Sequence, residues 1–157
     1  MDRITLTFVL LAIYQLKHYL ADFPLQTPWM LGKFNEKGWV KPLAAHAGVH
    51  ACFTGFICSI YFALLDTSPK HLLLVFGLAL FDFATHFTMD RIKASPKMLG
   101  KYKSLCSHNF QYKDSMAPEE WARKVRSNKK FWRSLGIDQM VHHLTHYYIV
   151  WRLIHAC

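Results

Sequence analysis

Residues 42–65 form a run of 24 positions without a single Asp, Glu, Lys or Arg. A helix of about 20 apolar residues already spans the roughly 30 Å hydrocarbon core of a bilayer. Three further apolar segments of similar length follow the same pattern, at about 4–23, 69–93 and 137–156. Pro24 closes the first, because proline disfavours helical geometry in the residue before it. Pro42 suits a first helical turn, and Ser68-Pro69 reads as an N-cap followed by a first-turn proline. The first segment starts with Arg3 and an apolar stretch, like a secretory signal, but no small-x-small cleavage site follows it. The expected fold is all-α. It is a single membrane domain over 1–157, a polytopic four-helix transmembrane bundle with a basic interfacial insertion at 94–134 between helices three and four.

Composition narrows the class further. Charged residues make up 18% of the 157, below the roughly 25% of soluble domains, which argues against disorder or a coiled coil. The mean hydropathy of +0.08 would also fit a soluble bundle with a rich core. The clustering of segment lengths near the spanning length favours the membrane. Cys52, Cys58, Cys106 and Cys157 form no C-x-x-C pair, so neither a disulfide framework nor a zinc ribbon is expected.

The formal net charge is +9, and the excess is unevenly placed. Residues 94–134 hold ten Lys or Arg against three acids, and 24–41 holds Lys33, Lys37 and Lys41 against Glu36. With four spans these two connections share a side, and the positive-inside rule makes it cytoplasmic, with both termini outside. Residues 118–128 read as a short basic helix with Trp121 and Val125 on one side. Basic and aromatic residues beside a span suit anionic lipid headgroups, although topology charges alone would explain them too. No nucleic-acid motif accompanies the charge, so no nucleic-acid partner is expected.

One pattern recurs in all four segments. They carry His18-x3-Asp22, His46-x3-His50, Asp82-x3-His86-x3-Asp90 and Asp138-x3-His142-x3-His146. Residues four apart share a helix face. Random placement of the 17 His and Asp would give roughly two such pairs; the sequence has six. The pairs lie at the end of helix one, the start of two, the end of three and the start of four. An up-down-up-down bundle brings these to one end. Bundle cores build metal sites in this way.

Imidazole and carboxylate suit a divalent metal: zinc first, with manganese or iron as alternatives. The expected ligand set is His18, Asp22, His46, His50, Asp82, His86, Asp90, Asp138, His142 and His146. Ten candidates exceed one ion's needs, so two ions are expected, with some residues as supporting partners or bases. Asp82, Asp138 and His142 are the catalytic candidates. Gln26, Lys33 and Gln139 stand near the cluster ends as substrate-binding candidates. Each residue also has a plainer role. Asp138 follows Gly136-Ile137 and could be an N-cap, Asp90 could pair with Arg91 or Lys93, and the whole set could be a buried hydrogen-bond network. His71, His108, His143 and His155 fall outside the pattern.

Residues 18–30, with Lys33 after them, resemble the opening signature of domain-of-unknown-function family 3307, small membrane proteins of bacteria and their phages. His46 to His50, Asp82 to Asp90 with Lys93, and Asp138-Gln139-x2-His142 resemble the remaining blocks of that family. The resemblance covers the four helices and not the basic stretch between residues 95 and 133. It implies an integral protein of a bacterial inner membrane, without an established activity. The family is also distantly similar to membrane-bound metal-dependent hydrolases with His/Asp motifs.

The expected function is therefore a membrane-embedded metal-dependent hydrolase acting near the cytoplasmic leaflet, on a lipid or lipid-linked phosphoester or acyl substrate. Two alternatives come from other classes. One is a membrane di-iron oxidase, for which His46-x3-His50 and His142-His143-x2-His146 resemble histidine boxes. The other is a non-catalytic membrane factor, host-directed or handling protons or metals. A through-membrane relay is disfavoured, because the halves of the helices away from the cluster are almost entirely apolar.

Overall fold

A computed structural model describes residues 2–65, 71–95, 98 and 117–156. Among these the chain is helical throughout: α1 (Arg3–Asp22), a short 3-10 segment (Met30–Phe34), α2 (Val40–Leu65), α3 (His71–Ala94), α4 (Pro118–Arg126) and α5 (Lys129–Ile154). The Ser68-Pro69 cap and about half of the basic insertion lie outside the described residues, as do the side chains of Trp121 and Val125.

Local chemistry sets the helix ends. Asp2 caps α1, its carboxylate accepting from the Thr5 N–H at 2.9 Å. Pro24 follows directly after α1 ends. Gly38 takes a φ of +72°, the left-handed region that favours glycine, in the turn into α2. The last helix differs from expectation: it starts at Lys129, eight residues before the expected position. Asn128 caps it, accepting from the Phe131 N–H at 3.1 Å, and Gly136 is carried through as an interior position. Asp138 therefore sits in the third turn and is not an N-cap.

The four long helices close into a ring in which α1 packs on α2 and α5, and α3 packs on α2 and α5. Cross-helix contacts give the register. Tyr14 meets Cys58 at 3.6 Å, and Lys17 meets Asp82 at 2.6 Å. His50 stacks on His86 and His86 on His142, with ring centroids 3.7 and 4.1 Å apart. Lys93 bridges Asp90 and Asp138. Moving along the bundle, α1 and α3 gain residue numbers while α2 and α5 lose them, so the arrangement is up-down-up-down. One half of the interior is apolar, built on Leu10, Tyr14, Phe62, Leu78, Ile149 and Leu153. The other half holds the His/Asp cluster.

The distribution of polarity is inverted relative to a water-soluble bundle. His46, His50, Asp82, His86, His142 and His146 are all buried, while Leu64 is 78% and Leu73 80% exposed, and Phe8, Phe56 and Phe76 also point outward. Three helices, α1, α2 and α3, are long and apolar enough to cross a membrane. That is the coarse form of the expected membrane fold. Helix α5 is not among those three. This helix carries Asp138, His142, His143 and His146 within its central turns.

Candidate metal centre

The i,i+4 stripes face inward on all four long helices and meet at one end of the bundle. The centre of the meeting point is His18. Its ring lies 5.3–5.9 Å, centroid to centroid, from those of His50, His86, His142, His143 and His146. Three groups can each place one ligand atom per residue within 4.8 Å of the others: His18, His86 and His146; His18, Asp22 and His50; and Asp90, Asp138 and His142.

Hydrogen-bond partners fix where the protons sit on several rings. His18 Nε2 lies 3.1 Å from Asp22 Oδ2 and 3.0 Å from Gln139 Oε1. Gln139 turns its amide nitrogen to Asp138 Oδ2 at 3.3 Å, which leaves its oxygen for the histidine. Both neighbours of His18 Nε2 are acceptors, so Nε2 carries the proton and Nδ1 keeps a lone pair. His50 Nε2 likewise faces Asp22 Oδ1 at 3.1 Å. His46 Nε2 lies 2.9 Å from Asp90 Oδ2 and 3.3 Å from Asp22 Oδ1. His86 Nδ1 faces its own helix's Asp82 carbonyl at 3.0 Å and Asp82 Oδ1 at 3.1 Å, so its Nε2 keeps the lone pair. The other ring nitrogen of each of these four histidines is buried and makes no hydrogen bond; both nitrogens of His46 and of His142 are in that state. A buried acceptor without a donor costs about 1–3 kcal/mol. Five such rings in one cluster need a cation, a proton or water among them.

The carboxylates are committed elsewhere. Asp82 Oδ2 accepts from Lys17 Nζ at 2.6 Å and from the Thr54 hydroxyl at 2.7 Å. Asp90 takes Lys33 at 2.8 Å and Lys93 at 2.7 Å, and Lys93 also holds Asp138 at 2.7 Å. Among the described residues Asp22 makes no ion pair with a lysine and faces His18, His46 and His50. Its side chain, 13% exposed, is also more accessible than those of Asp82, Asp90 and Asp138. Lys17 also donates to His146 Nε2 at 3.2 Å, which puts the His146 proton on Nδ1.

The expected site residues thus divide. All ten proposed ligands reach the cluster, with the imidazoles supplying free nitrogens and three of the four aspartates ion-paired. Lys33 is drawn inside onto Asp90, and burial pushes its ammonium below the usual lysine range. Gln139 orients His18. Gln26 shares no hydrogen bond with the cluster among the described residues. Lys17, Thr54 and His143 were not singled out by spacing. Lys17 is one residue off the His18 stripe, so only the packing of α3 and α5 over it reveals its partners.

The segment after α1 covers this end of the bundle. Lys33 ties the 3-10 segment to α3, and Arg91 adds a hydrogen bond to the Lys33 carbonyl at 3.4 Å while its guanidinium stacks 3.8 Å over Trp39. Phe23, Leu25, Trp29 and Leu31 of the cover point outward. The chain matches no protein-family model, no curated protein and no solved structure.

Proposed function

We propose that the protein is a membrane-embedded metal-dependent hydrolase whose ion is held by His18 and His86, with His50, His142 and His146 around them. The observation that carries this reading is the set of buried ring nitrogens left as lone pairs, with the rings of His18, His50 and His86 each backed on the far side by a carboxylate. Metal-binding histidines have that arrangement: the outer hydrogen bond fixes the tautomer and raises the basicity of the inner nitrogen. Asp22 backs His18 and His50, and Asp82 backs His86. Zinc is the first choice of ion, with manganese and iron next. Asp90, Asp138 and His142 make a second centre once Lys33 and Lys93 release the carboxylates.

Such an ion supplies Lewis acidity and lowers the pKa of water. The chain's own residues supply the rest. Asp22, the accessible carboxylate, takes protons; Gln139 holds His18 in one orientation; Lys33 and Lys93 offer cations to a phosphoryl or acyl oxygen. The substrate is a lipid or lipid-linked ester, because the cover above the site presents Phe23, Leu25, Trp29 and Leu31 outward beside exposed Lys37 and Lys41. That combination suits an anionic headgroup layer.

Helix α5 is the fourth span in this reading. Its low apolarity comes from inward residues. Ile137, Met140, Leu144, Tyr147 and Trp151 form an outward stripe at helical spacing. The charge of the basic connections supports a metal end at the cytoplasmic face of a bacterial inner membrane, with both termini outside. The partial likeness to family 3307 supports the same location.

The test is metal content per chain on detergent-purified protein, with ester hydrolysis measured alongside. Bound metal that is lost in both His18→Ala and His86→Ala, with hydrolysis abolished by chelation, is the expected result. A metal-free chain that is folded and retains hydrolysis would overturn the proposal. The prevalence of imidazole over free carboxylate also favours a second reading, an iron oxidase. Iron with an oxygen-sensitive spectrum would select it.

A further inference from the structure

His143 lies off the metal stripe, yet its ring is 5.5 Å from that of His18. Its Nδ1 is buried and makes no hydrogen bond. On α5, Gln139, His143, Tyr147 and Trp151 follow one another at four-residue spacing and so lie along one line of the helix. Gln139 and His143 reach His18 of α1. Tyr147, Val150, Trp151 and Ile154 line a mainly apolar cavity of about 280 Å³ with Thr7 and Leu11 of α1, and His155 closes its lining. The seam between these two helices is therefore polar at the metal end and apolar beyond it. From His143 to Trp151 the line runs about 12 Å, at 1.5 Å per residue.

The geometry points to this seam as the binding groove for a single-chain lipid, with its phosphate or ester head at His143 and Gln139 beside the metal centre. Three features select that occupant. The polar end coincides with the end of the bundle where the cover and the basic residues meet the membrane face. The apolar end runs away from that face, as an acyl chain does within its own leaflet. The head would give the buried His143 nitrogen the partner it lacks, within reach of His18. The reaction assigned to the head rests on the hydrolase reading; the groove itself does not.

The probe is a diazirine-tagged lysophosphatidate, one acyl chain with a phosphate head, photolysed in detergent-purified, metal-loaded protein. The label is expected on peptides containing Leu11, Tyr147 and Trp151. Leu11→Trp fills the groove at a distance from the metal centre, and should lower that labelling at least fivefold with metal content unchanged. If Leu11→Trp does not accumulate, Tyr147→Ala removes a wall at an outward position and should lower it as well. Labelling spread evenly over the outward faces of α2 and α3, or unaffected by the variants, would overturn the proposal. Hydrolysis of water-soluble p-nitrophenyl phosphate and p-nitrophenyl acetate separates the two readings. Localised labelling without metal-dependent hydrolysis keeps the groove and removes the hydrolase; metal-dependent hydrolysis with dispersed labelling does the reverse.

Discussion

Replacing Lys17 by Met tests the interior electrostatics directly. The Lys17 and Asp82 side chains are 1% and 0% exposed, with Nζ and Oδ2 2.6 Å apart. At an effective dielectric near 20 the attraction at that distance is about 6 kcal/mol before desolvation. Burying each ion offsets several kcal/mol of this, so the pair contributes little net stability. Removing one partner is different. Lys17→Met leaves the Asp82 carboxylate buried with the neutral Thr54 hydroxyl and the imidazoles of His86 and, at 3.8 Å, His146 beside it. The expected loss is about 3–5 kcal/mol. Neutralising the stranded carboxyl sets a ceiling, because protonating an ordinary aspartate at pH 7 takes roughly 4 kcal/mol. The two figures agree. Asp82→Asn should cost a similar amount by stranding the ammonium against His146. The double variant should lose less than the sum of the two by at least about 2 kcal/mol, because neither charge is then left alone. The assay is reversible denaturation in mixed micelles, followed by tryptophan fluorescence. Additive losses, or a Lys17→Met penalty below about 1 kcal/mol, would refute the reasoning.

The remaining predictions concern the frame around the site. Asn128→Ala removes the α5 cap and should destabilise the protein by about 1 kcal/mol in the same denaturation assay, while Asn128→Asp should be nearly neutral. Gly32→Ala places a methyl 3.0 Å from Pro42 Cγ, against a ring that cannot swing aside; a loss of about 1–3 kcal/mol and faster proteolysis of the 23–39 cover are expected. Phe76→Asp puts a charge on the outward face of α3, where an 18-residue stretch has a mean hydropathy of 1.7. If that face meets lipid, the cost is about 2.5–3.5 kcal/mol, read as reduced recovery in the membrane fraction; unchanged recovery with a soluble product would argue against the membrane location. Reporters fused at the two ends should report the same side if α5 crosses, and opposite sides if it does not.

Much of this molecule is legible before folding. The lengths and compositions of α1 to α3 follow from long, mainly apolar runs, and helix periodicity alone places His18 with Asp22, or Asp82 with His86 and Asp90, on one face. The up-down-up-down order then brings all four stripes to one end, because each connection reverses the chain. The start of α5 was harder to read. Gly136 looks like a break, but a Gly in a helix costs only about 1 kcal/mol, and the Asn128 cap with eight further residues outweighs it.

What the sequence by itself determined is the presence of His and Asp side chains at matched depth on four helices, since that depends only on spacing along each helix. What only the tertiary structure decided is which atom meets which. Lys17 lies about 100° around the helix from His18, and local spacing does not say whether that direction faces lipid or a partner. The approach of α3 and α5 gives it Asp82 and His146. Lys33 sits on a short segment whose path no periodicity predicts, and Lys93 bridges two helices. These contacts tie three aspartates into ion pairs with lysines and leave imidazole nitrogens facing one another. Ion pairing is a property of distance in space, set by how four helices rotate about their axes to bury the same charges, and the order of residues along one helix does not contain it.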